Sequence, residues 1–443
     1  MSSPGSLETR QFGLAVAIAI VIGESVGLGI FLTPAAMAKS LGSPLLLGAV
    51  WAAMALMAMS GALCYSELAI RSPESGGEYV YLRAGYGDRT AFLYGWMSSI
   101  VMYPGVAAAL SVGAAAYVAQ VLSLRPKATA LTPAIILCAF GLVNLVGTRL
   151  GASLMTVVNV LKLLILFALS GWAALSGHAH IGNLMPLVER RSGSEPLIPA
   201  VAGALVAAFF SLGGWWEVGK IAGQLRNPRR TLPIAFVGGV ALATLSYLLI
   251  SASFLAVLPI ERLSSNTVFV AQFGEVLFGA AGAKLLSLCV LVCVFGGIAA
   301  LTMASPRVTY AMARTGTFFP SFGRLHPRLG TPVNSILLQT GLSLAALLLG
   351  AFDRILAYII FSVVCFLALT ASTLFRMRDP VRNWWFPAAP IVFIVFCIVI
   401  GLLILVHDPL PALIGVITVI CGLPLYQLLT ARQVETPLTN EGS

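Results

Sequence analysis

Residues 23–31 read GESVGLGIF, and they lie inside an apolar segment that runs over residues 12–37. The stretch holds a carboxylate, Glu24, together with Gly23, Gly27 and Gly29. In lipid, every backbone polar group must be satisfied within the protein. A helix weakened by glycine at mid-membrane depth is therefore tolerated only where it is buried in protein or lines a water-filled cavity. An ionisable group at the same depth marks a substrate or ion path. The stretch predicts a broken membrane helix with a binding site at the break.

The remaining sequence fits that frame. The 443 residues are 59% hydrophobic and 9% charged, with a mean hydropathy of +0.96, too apolar for a soluble protein and long enough for about a dozen spans. Apolar segments fall at 12–37, 43–70, 90–122, 129–147, 152–176, 198–222, 232–258, 279–312, 332–350, 353–376, 385–406 and 410–430. This is the pattern of an all-α polytopic membrane protein with 12 transmembrane helices. No short apolar run with a small-residue cleavage site precedes the first segment, so the first helix is expected to stay in the mature protein.

The net charge of +10 has two readings, nucleic-acid binding or topology, and its distribution decides between them. Of the 26 Lys and Arg residues, 17 fall on the termini and one set of alternate loops, eight on the other set, and Lys162 sits inside a span. The richer set includes Arg71, Lys220, Arg226, Arg229, Arg230, Arg307 and Arg314. The positive-inside rule then places both termini in the cytoplasm of a multi-pass plasma or inner membrane protein. The basic excess reads as topogenic, and no nucleic-acid partner is expected.

Cys64, Cys138, Cys289, Cys293, Cys365, Cys397 and Cys421 all fall in apolar segments, where cysteine packs as a small hydrophobe. They imply no disulfide framework. Cys289 and Cys293 stand one helical turn apart with no His or carboxylate nearby in sequence, and His178 and His180 share a loop without a third ligand, so no metal site and no cofactor is expected. A membrane-embedded enzyme needs a nucleophile with a base, or a metal cluster, within the spans. These residues do not provide one, and the chain is read as a non-enzyme.

Further along, CYSELAIRSPESGGEYVYLRAGYG at 64–87, followed by Gly95-Trp96 and Tyr103-Pro104, resembles the amino acid, polyamine and organocation transporter superfamily, and within it the L-type amino acid transporter branch. Four further matches follow in order. Asn144 and Lys162 are spaced as in that branch, and FFSLGGW at 209–215 is similar to its FAYGGW segment. QLRNPRRTLP at 224–233 is similar to EVKNPRRTLP, and SPRVTYAMARTGTFFPSFGRLHPRLGTPVN at 305–334 resembles the family's helix-eight exit. Ordered matches of this kind are more specific than any single motif.

The resemblance implies a 5+5 inverted repeat plus two additional helices. It divides the chain into a cytoplasmic N-terminus (1–11), a first half (12–176), a second half (198–376), the two extra helices (385–430) and a cytoplasmic tail (431–443). The residues support this independently, because glycines interrupt corresponding spans at Gly27/Gly29 and Gly213/Gly214, the pattern of two broken helices meeting at a midplane site. A broken helix frees amides on one side and carbonyls on the other, which suits an α-amino acid zwitterion. By resemblance, the amides of Leu28 and Gly29 hold the substrate carboxylate. The carbonyls of Ser25, Val26, Phe210, Ser211 and Gly213, beside Gly27, hold the ammonium, and the Phe210 ring closes over the substrate. The sequence departs from the family at Leu28, where Ser is usual and would add a hydroxyl contact.

Lys162 is an ammonium in the middle of a span, which must be paired or shed its proton. The resemblance gives it the place of a sodium ion, bracing helix one against helix eight. Both a permanently charged strut and a proton-linked group remain open for it. Ala299 and Leu301 stand where polar neighbours are common in the branch, so Glu24 is expected to answer Lys162 as a buried charge partner. Glu217, flanked by Trp215 and Trp216, has three readings inside the pocket or one in cytoplasmic water: charge partner, selector of a cationic side chain, or proton site. Glu67 is expected to meet cytoplasmic basic residues. Gln224 replaces the family's usual Glu and puts a cytoplasmic salt bridge in doubt.

Between spans three and four, VLSLRPKAT contains no Cys. Mammalian light chains of the branch use one there to attach a glycoprotein, so no disulfide-linked heavy chain is expected. The function implied is sodium-independent secondary transport of neutral L-amino acids by alternating access, as permease or exchanger. The alternative is a cationic amino acid or polyamine carrier that uses Glu24 and Glu217.

Overall fold

The computed structural model describes residues 10–27, 29–260, 267–349, 352–377, 379, 383–407 and 409–434. Among these the architecture is helical. The only extended pairing among the described residues is an isolated bridge between Phe12 and Leu225.

The first apolar segment is two helices, α1 (Leu14–Ser25) and α2 (Gly29–Leu41), inclined at 56° to each other. Ser43 caps the next helix by accepting from the Leu46 amide at 3.4 Å, and Pro44 starts it, a position where its missing amide costs nothing. The chain continues through α3 (Pro44–Arg71), the short loop helix α4 (Glu78–Tyr86), and α5 (Asp88–Met97). A π turn at Ser98–Met102 joins α5 to α6 (Tyr103–Leu122). Then come α7 (Pro126–Val146), α8 (Thr148–Leu175) and α9 (Leu197–Leu212), the last running into a 3-10 segment, Trp215–Gln224. The remainder comprises α10 (Pro228–Val257), α11 (Thr267–Phe278), α12 (Gly282–Ala304), α13 (Pro306–Arg314), α14 (Val333–Leu349), α15 (Phe352–Ser372), α16 (Ala388–His407), α17 (Pro409–Ile420) and α18 (Gly422–Val434).

Among the described residues, nine helices are long and apolar enough to cross a membrane, and the bent α1–α2 pair makes ten. Two further apolar helices, Val333–Leu348 and Phe361–Phe375, are shorter. This is a multi-pass membrane protein, and length with composition alone carries ten of the twelve expected spans.

The way α8 divides its faces shows how lipid sorts the residues. Leu150, Leu154, Val157, Leu161 and Leu164 are exposed at alternating steps of four and three, a stripe along one side of a helix. On the other side Met155, Asn159, Lys162, Leu166 and Leu169 are buried. Asn159 and Lys162 therefore point into the protein, and the outward stripe is wholly apolar. α1 runs through the middle, packed against α8, α10, α12 and the 3-10 segment, with Ala17 and Ala19 through Gly23 buried.

Candidate functional site

Both glycine-interrupted segments break, and the breaks touch each other. α1 stops at Ser25 and α2 begins at Gly29, while α9 stops at Leu212. Gly213 is extended, and Gly214 has a φ of +88°, a left-handed backbone that side-chain-bearing residues rarely adopt. A Cβ added to Gly214 would stand 2.7 Å from the Glu24 Cβ, and one added to Gly29 would stand 2.6 Å from Ser211 Oγ. Each broken span thus contributes a glycine on which the other rests. Thr33 Oγ1 and Ser211 Oγ share a 2.6 Å hydrogen bond across the same contact.

Of the expected substrate-binding residues, Ser25, Val26 and Ser211 are buried, and Gly27, Gly29 and Gly213 are half-buried. The Phe210 ring is 46% exposed. Leu28 lies outside the described residues. Two of the five expected ammonium acceptors already carry donors: the Val26 carbonyl takes Lys162 Nζ at 2.5 Å, and the Ser211 carbonyl takes the Tyr247 hydroxyl at 2.5 Å. Among the described residues, chain neighbours aside, nothing lies within 4 Å of a Cβ position on Gly27, so the break opens onto free space there.

Lys162 is fully buried. Besides Val26 it donates to the carbonyls of Ile22 at 3.3 Å and Gly23 at 3.2 Å, at the C-terminal end of α1 where helix carbonyls run out of internal partners; the Ile22 carbonyl also takes the Val26 amide at 3.0 Å. Its stem passes Gly296 of α12, where a Cβ would stand 2.8 Å from Lys162 Cε. Asn159, one turn earlier on α8, donates to the Gly296 carbonyl at 3.3 Å. Farther along α12, Asn144 of α7 donates to Thr302 Oγ1 at 3.0 Å. Lys162 thus spans from α8 past α12 to α1.

Among the described residues, no ion pair joins Glu24 to Lys162, contrary to the expectation from the sequence. The freed carbonyls of α1 already surround the ammonium, and a helix C-terminus carries partial negative charge, so a carboxylate partner is not required. Glu24 leaves α1 toward Gly214 instead. Its Oε1 is buried with no hydrogen-bond partner among the described residues.

Glu217 does have a counter-ion, and sequence reasoning placed that residue elsewhere. Lys220, counted above among topogenic loop charges, is fully buried, with its Nζ 2.6 Å from Glu217 Oε2 and 3.3 Å from Glu78 Oε2. It also lies 5.0 Å from the centroid of the Tyr103 ring, a cation–π contact. The Tyr103 hydroxyl donates to Glu217 Oε1 at 3.4 Å and lies 3.1 Å from the Tyr94 hydroxyl. The reading of Glu217 in cytoplasmic water is thereby corrected. The 3-10 segment winds inward, and Glu78 of α4 meets it there. The spacing Glu217–Lys220, three residues apart on a helical segment, was the available signal.

Arg307, also counted as topogenic, is buried. Its guanidinium donates to Gln224 Oε1 at 3.1 and 2.8 Å, so Gln224 accepts charge-assisted hydrogen bonds rather than forming an ion pair. The Gln224 carbonyl accepts from the Gln11 and Phe12 amides at 3.0 Å, and Arg226 donates its amide to the Phe12 carbonyl at 3.0 Å. Glu67 pairs with Arg71 at 2.7 Å, in line with its expected structural place. On α4, burial pushes the Tyr79 phenol above its ordinary pKa. Its hydroxyl bonds Thr315 Oγ1 at 2.5 Å and Thr317 Oγ1 at 2.8 Å, which fastens the loop helix to the exit of α13. A cleft of about 630 Å³ opens beside Gln11, Phe12, Arg149, Thr156 and Arg226, and none of the expected binding residues lines it.

The family model described as amino acid permease matches residues 12–421. Over 96% of this chain and 98% of its own length, the serine/threonine exchanger SteT of Bacillus subtilis is 26% identical. The mouse Asc-type amino acid transporter 1 is 29% identical over 95% of this chain and 81% of its own length. The human large neutral amino acids transporter small subunit 2 is 28% identical over 95% and 80%.

Proposed function

We propose that this chain, which belongs to the amino acid permease family, carries neutral L-amino acids across the membrane as a sodium-independent secondary transporter. The substrate sits between the two broken spans and is released by alternating access. Similarity along nearly the full chain to proteins named as amino acid transporters and exchangers supports the substrate class.

The observation that carries sodium independence is the Lys162 ammonium on three carbonyls at the end of α1. A fixed protein cation fills the role that a bound metal cation would have at a helix C-terminus. Around the breaks, the N-terminus of α2 offers free amides to a carboxylate, and the carbonyl ends of α1 and α9 face the opposite way. Twelve spans arranged as a five-plus-five inverted repeat with two extra helices, and both termini in the cytoplasm, complete this reading. With no Cys between spans three and four, the chain works without a disulfide-linked partner.

Uptake of a labelled amino acid panel into proteoliposomes tests it, with and without internal amino acid, sodium and an imposed pH gradient. Saturable uptake of neutral amino acids that is indifferent to sodium is expected. Strict sodium dependence overturns the role of Lys162. The carrier of cationic amino acids or polyamines is the second reading, favoured by Glu24 Oε1, which has no hydrogen-bond partner among the described residues; Glu217, engaged by Lys220, adds nothing to it.

A further inference from the structure

Five ionisable side chains meet around the broken spans, and four of them are accounted for. Lys162 is held by three carbonyls, and Lys220 stands between Glu217 and Glu78. Glu24 is left over. The elements packed against α1 bring Lys162 from α8, Glu217 and Lys220 from the 3-10 segment, Tyr247 from α10 and Cys293 from α12, yet no ion pair joins any of them to Glu24 and its Oε1 is buried without a hydrogen bond. A carboxylate in that position needs either a proton or a cation from outside the protein.

Its place selects the cation. Glu24 belongs to the last turn of α1, the carbonyl end, and its Cβ lies against the Gly214 turn of span six. It is half-buried, as are Gly27, Gly29, Gly213 and Gly214, so it is reached from the same opening as both breaks. On the amino side of the opening, the Val26 and Ser211 carbonyls are already engaged. On the carboxylate side, position 28 is Leu and brings no hydroxyl, while the Thr33 and Ser211 hydroxyls are bonded to each other. With those two carbonyls occupied, Glu24 Oε1 is the acceptor left open at the amino end, and it brings the negative charge there.

We infer that Glu24 is the counter-charge for the substrate's ammonium group, and that primary amines lacking the α-carboxylate are ligands of the same site. The inference rests on the proposed binding of an amino acid between the breaks. It adds an ionic anchor to a subsite otherwise built from main-chain carbonyls, and it sets which end of the ligand is indispensable.

The test compares three ligands on the purified full-length protein: a neutral amino acid that the transport panel identifies, the primary amine made by removing its carboxylate, and the hydroxy acid in which OH replaces the amino group. Binding is read by ligand-induced thermal stabilisation and by competition for uptake. Wild type is expected to bind the amino acid and the amine and to ignore the hydroxy acid. Glu24→Gln is expected to weaken both by at least about tenfold, equivalent to about 1.4 kcal/mol, and Glu24→Asp to keep most of the affinity.

Unchanged binding in a folded Glu24→Gln protein overturns the inference, as does unchanged binding with only the response to a pH gradient lost, which makes Glu24 a proton carrier. Should Glu24→Gln fail to fold, the wild-type ligand series still decides, since hydroxy acid binding as well as the amine overturns the inference. If wild type binds no amino acid at all, the transport reading fails instead.

Discussion

Lys220 places its ammonium 2.6 Å from the carboxylate of Glu217, three residues earlier on the same 3-10 segment, and 3.3 Å from Glu78 on the loop helix. All three side chains are at most 2% exposed. One cation between two anions joins the loop after α3 to the unwound half of span six. The Gly76 amide, which donates to the Lys220 carbonyl at 3.1 Å, and the Ser75 hydroxyl, which accepts from the Gly223 amide at 3.2 Å, reinforce the joint.

Breaking such a group is more damaging than never having it. Lys220→Met leaves two buried carboxylates without a counter-charge, and removal of one partner from a buried pair typically costs ~3–5 kcal/mol. The variant is expected to lose most of its thermal stability in detergent, or to elute as aggregate by size exclusion. Adding Glu78→Gln and Glu217→Gln to Lys220→Met removes the unpaired charge and should recover a folded protein. A single Lys220→Met variant as stable as wild type would show that the cluster carries no stability.

Lys162 makes a different prediction, because its partners are carbonyls rather than carboxylates. Lys162→Met strips the end of α1 of three hydrogen bonds but leaves no charge stranded. Hydrogen bonds from a charged donor are worth ~1.5–3 kcal/mol each as a class, so the loss is felt where the break is shaped. Uptake should fall to background while a folded, monodisperse protein is still obtained. Wild-type transport rates in Lys162→Met rule out any role for the ammonium in fixing helix one.

Much of this was legible from residue types alone. Apolar runs located the helices, since lipid leaves a chain few alternatives, and the two glycine clusters at Gly27/Gly29 and Gly213/Gly214 located the breaks. Lys162 stands out because the apolar segment 152–176 around it holds no other charged residue. Lys220 does not. EVGKIAGQLRNPRR reads as a helix leaving the membrane, and its first cation was grouped with Arg226, Arg229 and Arg230; only the inward course of the 3-10 segment separates them. Sequence spacing puts Glu24 and Lys162 in facing spans but does not say on which side of α1 Lys162 arrives, and no ion pair joins them among the described residues. The carbonyls that receive Lys162 at Ile22, Gly23 and Val26 are invisible to any count of charged side chains.

Tyr247 is a third point of control. Its hydroxyl occupies the Ser211 carbonyl at 2.5 Å, one of the acceptors expected for the substrate's ammonium, while its ring packs 4.7 Å from Trp51. Tyr247→Phe keeps the ring and frees the carbonyl. Stability should change by no more than ~1 kcal/mol, the net worth of one neutral hydrogen bond, and the readout of interest is the KM for the amino acid. A shift in KM with thermal stability nearly unchanged is expected. An unchanged KM removes the Ser211 carbonyl from the substrate's surroundings.

Two glycines separate folding from binding within the same site. Gly214 has a φ of +88°, and a Cβ there would come within 2.7 Å of the Glu24 Cβ and 3.1 Å of its carbonyl carbon. Gly214→Ala therefore meets both an unfavourable backbone region and a backbone neighbour that cannot give way, a combination of strain and overpacking that costs ~1–3 kcal/mol for each part. Gly27 differs on both counts. Its φ is not in the left-handed region, and apart from its chain neighbours no atom of the described residues lies within 4 Å of the position a Cβ would take. A methyl group on Gly27 projects into the opening between the breaks, where the substrate is proposed to lie. Gly27→Ala should keep wild-type thermal stability and raise KM, whereas Gly214→Ala should lower stability and transport together. Thermal unfolding and uptake measured on both variants check the pair. If Gly27→Ala transports with an unaltered KM, the free space beside Gly27 is not where the substrate binds.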